Sequence, residues 1–228
     1  MASRRIFLVR HGDVDYFTPE GKPLSFRDAR LNLQGEKEAA ALGEFLASAE
    51  LQRVVVSPLA RAGDTAGIIL RGRNLEIQVE PRFMEIEPAS LQAPGPIPPA
   101  QIREILLSSL GPGLTEQSRF FGGEAFGPFL KRVADAWKQL LADSSYDQAL
   151  IVAHSVVNRA ILAKVFGLGL DGLSQLEQDS GCVNVIDLDS KGRGMARLIN
   201  HTPVNPMKAG LRKNSLEQLV DKALANRG

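Results

Sequence analysis

The sequence has little cysteine, no long apolar run and no excess of either charge. Its single cysteine, Cys182, excludes an internal disulfide and agrees with a reducing compartment. No run of apolar residues is long enough to cross a bilayer, and the apolar run at residues 6–9 is too short for the core of a secretory signal. The formal net charge is +1, so nothing indicates a nucleic-acid or membrane surface. These absences predict a cytoplasmic protein with neither kind of partner.

The composition is that of an ordinary globular protein. Hydrophobic residues make up 44% and charged residues 23% of the 228 positions. This length allows one large domain with a substantial core and gives no clear room for two. We therefore expect a single domain over residues 1–228, in which any selectivity for an anion is local.

Apolar runs alternate with amphipathic stretches along the chain. The strands predicted from them lie at residues 6–9, 53–56, 77–79, 149–153, 183–188 and 196–199. Helices are predicted at about 34–49, 59–70, 100–110, 126–141 and 156–166. The early strands are apolar throughout, which is typical of a parallel sheet with helices on both faces. The pattern predicts a three-layer α/β domain with a mostly parallel central sheet.

Two segments depart from this alternation. Residues 87–123 contain a run of prolines that excludes regular structure near its start. We interpret the segment either as a simple surface insertion or as a wall or lid that selects the substrate. At the other end, Ser215 and Gln218 form a capping-box pattern that opens a helix at about 214–226. That helix packs either on its own domain or on a second copy of the chain, and the sequence does not decide whether the protein forms a homodimer.

Two histidines stand at the ends of apolar runs: His11 follows residues 6–9 with Arg10 between, and His154 directly follows residues 149–153. Arg10 precedes the first histidine, and Arg61 follows the strand at 53–56. Ligands of open α/β sheets bind at the carboxyl ends of the strands, where these residues would meet. Helix N-termini and arginines both suit an anion. The pattern therefore predicts a phosphoryl-binding site.

The same residues indicate a chemistry. A neutral imidazole is a competent nucleophile near neutral pH, and a phosphorylated histidine would divide one displacement into two easier steps. Two arginines and a second histidine supply positive charge to the transferring group without a metal. The leaving oxygen still needs a proton, for which Glu85 is the first candidate and Glu87 the second.

Several motifs together resemble the histidine phosphatase superfamily, whose members include phosphoglycerate mutases and many small-molecule phosphatases. The matching stretches are Arg10-His11-Gly12, Leu31-Asn32-Leu33-Gln34-Gly35, Ser57-Pro58-Leu59-Ala60-Arg61-Ala62, Gly122-Gly123-Glu124, and Val152-Ala153-His154 with Arg159. They occur in the family's order and span roughly residues 5–201. The resemblance therefore covers the whole predicted domain.

The resemblance implies a role for each matching position. His11 would be the phosphorylated nucleophile, Glu85 the proton donor, and His154 a further residue of the catalytic pocket. The phosphate would be bound by Arg10, Arg61 and the backbone amide of Ser155, where the family usually presents a glycine amide. Neither a metal nor a cofactor is implied, and the expected partner is a small phosphorylated substrate.

Departures from the family bear on the reaction. After Gly12, mutases carry a serine or threonine two residues on and then a tryptophan–asparagine pair, whereas this chain reads Asp13-Val14-Asp15-Tyr16-Phe17. The segment after Glu85 is also unlike that of mutases. These differences favour a phosphatase over a phosphoglycerate mutase. A third hypothesis, a phospho-ligand or protein-binding module without catalysis, would require a lost nucleophile or pocket arginine, and this chain retains them.

Overall fold

Six strands form one mixed sheet at the centre of the protein. The computed structural model describes residues 4–16, 18, 24–89, 109–111 and 113–225. The strands are β1 (Arg4–Arg10), β2 (Arg53–Val56), β3 (Ile77–Val79), β4 (Gln148–Ala153), β5 (Val183–Leu188) and β6 (Gly194–His201). They lie in the order β3-β2-β4-β1-β5-β6. β1 to β4 are mutually parallel, whereas β5 and β6 run antiparallel to their neighbours, so the predicted mostly parallel sheet is confirmed.

Helices cover both faces of the sheet. They are α1 (Leu33–Phe45), α2 (Ala60–Ile69), α3 (Phe126–Ala142), α4 (Ser155–Phe166), the short α5 (Gly172–Gln175) and α6 (Ser215–Ala225). Because alternate residues of a strand point to opposite faces, β1 contributes to two cores. Phe7 and Val9 pack with α1 and α2, whereas Ile6 and Leu8 pack with α3 and α4. This arrangement confirms a single three-layer α/β domain.

Two local predictions differ from the structure. The apolar spacing predicted a helix to residue 49, but α1 ends at Phe45, and Leu46 stays buried in the turn that follows. The capping box is formed one residue earlier than expected, because the Asn214 side chain accepts from the Glu217 amide and Glu217 accepts from the Asn214 amide. An asparagine caps as well as a serine does, so the pattern alone could not distinguish the two registers.

The proline-rich segment is described only at its two ends. Most of the short helix predicted at 100–110 lies outside the described residues. Residues 113–123 end in a 3₁₀ turn, Phe120–Gly122, that lies against residues 87–89. Over the described part of the chain, no helix combines the length and the apolar character that a membrane span requires.

Candidate active site

The carboxyl ends of β1, β2 and β4 bring the predicted residues together. The parallel register continues one residue past each strand, because the His11 amide donates to Ala153 O at 3.1 Å and the Ser57 amide to Val152 O at 3.0 Å. His11 and His154 are thereby neighbours, with ring centroids 5.1 Å apart and planes at 63°. Both are almost fully buried, at 2% and 0% exposure. The expectation that the two imidazoles meet in space is therefore confirmed.

The hydrogen bonds of His11 define its tautomer. Its Nδ1 lies 2.7 Å from the carbonyl oxygen of Gly12, which can only accept, so Nδ1 carries the proton. Nε2 therefore keeps a lone pair, and it accepts from Nε of Arg61 at 3.2 Å. The backbone thus orients the ring and leaves Nε2 as the nucleophilic atom.

Arg61 is fully buried beside His11. It extends from the first turn of α2, and its Nη1 donates to Phe26 O at 2.7 Å. The rings of Phe26 and Tyr16 lie 4.7 and 6.0 Å from its Cζ. Thr65 links this helix to the loop after β1, since its hydroxyl donates to Arg61 O at 2.7 Å and accepts from the Gly12 amide at 3.2 Å. The guanidinium therefore has a defined position next to Nε2 of His11.

Arg10 and His154 complete the cluster from the other strands. Nη1 of Arg10 donates to Gln178 O at 2.6 Å, which directs the side chain toward the loop before β5. Nε2 of His154 lies 2.6 Å from the Ser57 hydroxyl. Each side chain is therefore held at one nitrogen by a residue of a neighbouring loop.

Several buried nitrogen atoms of this cluster have no hydrogen-bond partner among the described residues. Of the four buried side-chain nitrogen or oxygen atoms that lack a hydrogen bond in the described part of the chain, three belong here: Arg10 Nε, Arg61 Nη2 and His154 Nδ1. A buried donor without a partner costs about 1–3 kcal/mol, so such groups concentrate where a ligand binds. Two guanidiniums at the carboxyl edge of a sheet suit an anion, and a phosphoryl group offers several acceptor oxygens.

Glu85 reaches the same site from the irregular segment after β3. It is 7% exposed, and its carboxylate accepts from the amides of Ile86 (3.0 Å), Val156 (3.0 Å) and Val157 (3.2 Å). Two of these amides belong to the first turn of α4, which begins directly after His154. Glu87, the other candidate acid, instead forms an ion pair with Arg27 at the surface. Ser155 lies in the first turn of α4, and its hydroxyl accepts from Nε of Arg159 at 3.3 Å.

Burial and the two arginines shift the pKa values of the site in ways that suit acid–base chemistry. Burial, followed by the charges of Arg61 and Arg10, lowers the pKa of His11 well below its ordinary 6.5. The pKa of His154 is lowered well below the same value, first by burial and then by Arg61. Burial raises the pKa of Glu85 above 4.5, although the Val156 and Ile86 amides and Arg61 oppose the shift. The histidines thus stay neutral, and the carboxyl holds its proton to higher pH than usual.

Some residues of the site carried no role in the sequence-based prediction. Ser57, Thr65 and Gln178 each contact a predicted site residue. Ser57 directly follows a predicted strand, and this position alone could have indicated that it lies at the site. Thr65 follows Arg61 within the second basic motif of the resemblance, which gave it no role, and no spacing in the sequence indicates that the loop of Gln178 approaches the site. Among the described residues, no group of three or more His, Cys, Asp or Glu side chains could hold a metal ion.

Comparison with known proteins gives matches over most of the chain. The family model for the histidine phosphatase superfamily (branch 1) matches residues 6–201. The chain is 27% identical over 216 residues to an Arabidopsis thaliana protein named "Probable 2-carboxy-D-arabinitol-1-phosphatase", covering 91% of this chain and 44% of that protein. The chain therefore spans less than half the length of this relative.

A bacterial relative and a solved structure extend the comparison. The chain is 26% identical over 164 residues to a Proteus mirabilis protein named "Probable phosphoglycerate mutase GpmB", covering 72% of this chain and 75% of that protein. The crystal structure of the alpha-ribazole phosphatase from Shigella flexneri superposes with a TM-score of 0.70 at 23% identity, covering 86% of this chain and 96% of that chain. At this identity the superposition shows a shared fold.

Proposed function

Because this chain belongs to the histidine phosphatase superfamily (branch 1), we propose that it hydrolyses the phosphomonoester of a small metabolite, without a metal, through a phosphohistidine on His11. The observation that carries the proposal is the unprotonated Nε2 of His11, which lies 3.2 Å from a buried guanidinium and beside a second buried histidine. A nucleophile and positive charge for the phosphoryl oxygens therefore lie side by side.

The reaction proceeds in two displacements. The lone pair on Nε2 of His11 is released from its hydrogen bond with Nε of Arg61 and attacks phosphorus. The bond from phosphorus to the ester oxygen breaks, and protonated Glu85 gives its proton to that oxygen. A water molecule then attacks the phosphohistidine, Glu85 takes its proton, and the P–N bond breaks to release inorganic phosphate. The proton on Nδ1 of His11 stays on that nitrogen throughout and remains hydrogen-bonded to the Gly12 carbonyl oxygen.

Positive groups around His11 neutralise the transferring phosphoryl group. Arg10 and Arg61 are permanently charged and donate through nitrogen atoms that have no partner within the described part of the protein. His154 offers Nδ1, and the amide of Ser155 lies at the N-terminus of α4, where the helix dipole favours an anion. Because the transition state spreads charge over the equatorial oxygens, this arrangement suits phosphoryl transfer.

The loop after Gly12 supports a phosphatase rather than a mutase. Val14 stands where mutases carry a serine or threonine, and this side chain is 2% exposed, so it offers no hydrogen bond to a substrate. Its neighbours Asp13 and Asp15 both accept from Nδ2 of Asn32. Asp13 and Asp15 are thereby engaged with Asn32, and neither supplies the hydroxyl donor that a serine or threonine would offer to a substrate.

Replacement of the nucleophile tests the proposal. We expect His11→Ala to remove turnover of p-nitrophenyl phosphate and acid-labile phosphorylation of the protein, with an unchanged circular dichroism spectrum. His201→Ala is the matched control, because His201 ends β6 and contacts Phe45. It should retain both signals. Normal turnover by His11→Ala would refute the phosphohistidine, and loss of wild-type activity on chelation would refute metal independence.

A second experiment separates hydrolysis from isomerisation. Incubation with 3-phosphoglycerate, with and without a bisphosphoglycerate primer, compares the release of inorganic phosphate with the formation of the isomer. We expect release to be faster in both conditions. Faster isomerisation that requires the primer would identify a mutase with the same nucleophile, and tight binding of phosphate with no turnover of any substrate would identify a binding module.

A further inference from the structure

The backbone that carries Glu85 has little regular secondary structure of its own. After the 3₁₀ turn Pro81–Phe83, residues 84–89 belong to no helix or strand. The carbonyl groups of this segment therefore need partners from elsewhere in the protein. A proton donor must keep a defined distance from the oxygen that it protonates, so whatever fixes this backbone affects the chemistry.

Arg132 of α3 contacts two carbonyl groups of this segment and one of the preceding turn. Its Nη1 donates to the carbonyl oxygens of Arg82 at 2.7 Å and Met84 at 2.6 Å, and its Nη2 donates to that of Glu85 at 3.3 Å. Nε and Nη2 also donate to the two carboxylate oxygens of Glu124, at 3.0 and 2.9 Å. All five N–H donors of the guanidinium are thereby used.

Glu124 holds the same segment on the other side of Glu85. Its Oε2 accepts from the Glu87 amide at 3.2 Å, and its own amide donates to Glu87 O at 2.8 Å. The preceding residue, Gly123, packs so closely that a Cβ atom there would lie 2.1 Å from Glu87 O. The backbone around Glu85 is thus held at positions 82, 84, 85 and 87 by a single ion pair.

We propose that the Glu124–Arg132 ion pair positions the Glu85 carboxyl for proton transfer, an inference that rests on the proposed role of Glu85 as proton donor. Within that carboxyl, Oε1 accepts from two amides, those of Ile86 and Val157, whereas among the described residues Oε2 accepts from Val156 alone. Oε2 therefore retains a lone pair for the transferable proton. Arg132 and Glu124 act through the backbone and are positioning residues.

The dependence of the rate on the leaving group distinguishes this role from a merely structural one. p-Nitrophenolate leaves without a proton, whereas the more basic phenolate benefits from an acid. We therefore compare kcat/KM for p-nitrophenyl phosphate and phenyl phosphate in the wild type, Arg132→Met, Arg132→Lys, Glu124→Gln and Glu85→Gln. Lys131→Met is the matched control, because Lys131 is the exposed neighbour of Arg132 on α3 and pairs with Asp135.

We expect Glu85→Gln to lose about 100-fold more activity on phenyl phosphate than on p-nitrophenyl phosphate, the usual contribution of a general acid. Arg132→Met should lose about tenfold more on phenyl phosphate, because a displaced acid transfers its proton less well. Arg132→Lys, which restores the charge but not the planar set of donors, should recover only part of that loss. Lys131→Met should behave as the wild type.

Equal losses of Arg132→Met on both substrates would overturn the proposal, provided that Glu85→Gln discriminates between them. If Glu85→Gln itself does not discriminate, the proposed role of Glu85 fails instead. Should Arg132→Met not fold, as judged by circular dichroism, Glu124→Gln decides the matter. This variant keeps the size of the side chain, and equal losses on the two substrates there would equally overturn the proposal.

Discussion

The side chains of Lys222 and Asp13 form an ion pair, although 209 positions separate them in the chain: Nζ lies 3.0 Å from Oδ1 and 2.9 Å from Oδ2. Asp13 directly follows Gly12 and also accepts from the side chain of Asn32, the N-cap of α1. The last helix is thereby linked to the loop that carries His11.

Loss of this ion pair should lower the free energy of unfolding only slightly, by an amount that depends on the salt concentration. Lys222 is 48% exposed, and pairs of this kind contribute up to about 1 kcal/mol. We expect Lys222→Met to lower the free energy of unfolding by about that amount or less in urea titrations at low ionic strength. The difference from the wild type should shrink in high salt. A larger loss that salt does not change would mean that Lys222 contributes through packing.

Gly12 should not tolerate a side chain. A Cβ atom at this position would lie 2.3 Å from Gly35 O and 2.7 Å from Gly35 Cα, and both are backbone atoms that cannot turn aside. We expect Gly12→Ala to destabilise the protein by about 3 kcal/mol, the upper end for overpacking, and to displace His11 enough to impair turnover. Urea titration and p-nitrophenyl phosphate hydrolysis measure the two effects.

The matched control is Gly63→Ala in α2. A Cβ atom there meets nothing within 4 Å. Because alanine has the higher helix propensity, this variant should be as stable as the wild type or more stable by up to about 1 kcal/mol. If Gly12→Ala were as stable and active as Gly63→Ala, the loop after β1 could not pack against α1 as closely as described.

Strands and the grouping of the two histidines were predictable because both depend on local patterns. Continuous apolar runs identified β1, β2 and β4, and parallel strands necessarily place the residues that follow them at one edge of the sheet. His11, His154 and Arg10 follow from that argument alone. Arg61 needed only the further expectation that the helix after β2 begins near the same edge.

The support of Glu85 could not be predicted in this way. Arg132 lies at the edge of the apolar face of α3, three residues after buried Phe129. A charge at such an edge is usually solvated, yet all its donors are used inside the protein. The prediction that α1 extends to residue 49 was wrong for a related reason, because Leu46 is buried although it lies outside the helix. The spacing of apolar residues indicates which residues are buried. Residues that follow a helix can also be buried when the chain continues along the core.

Activity should decline as Glu85 loses its proton. The carboxyl acts as an acid only when protonated, and its pKa is raised, first by burial. The nucleophile imposes no limit near neutrality, because the pKa of His11 is lowered well below 6.5 and the ring stays unprotonated there. We therefore expect kcat/KM for phenyl phosphate to be highest at acidic pH and to fall as pH rises through the Glu85 pKa.

Glu85→Gln provides the comparison for this profile, since the amide keeps the shape of the side chain but cannot titrate. Its rate should be low and should lack the decline that is specific to Glu85, when both proteins are measured from about pH 4 to about pH 9. Ionisation of the substrate affects both proteins alike and cancels in their ratio. An identical decline in both would assign it to another group.

The buried histidines should make the protein less stable in mild acid. The pKa values of His11 and His154 are lowered in the folded protein, whereas both rings titrate near 6.5 in the unfolded chain. Below pH 6.5 the unfolded chain therefore takes up protons that the folded protein does not. The stability that the neutral rings contribute is complete above pH 6.5 and is lost as pH falls toward the folded pKa values, by up to about 1.4 kcal/mol per pH unit for each ring.

His11→Asn isolates one of these contributions. Glu85 acts in the opposite direction, because its raised pKa gives stability below 4.5 that is lost as pH rises through the folded value. That contribution is present in both proteins and cancels when they are compared at the same pH.

The experiment is a urea titration without phosphate, because phosphate binding would add its own stabilisation. The free energy of unfolding of His11→Asn should fall less steeply below pH 6.5 than that of the wild type. Equal slopes would mean that the pKa of His11 is not lowered in the folded protein, so that Nε2 would lose its lone pair to a proton below about pH 6.5.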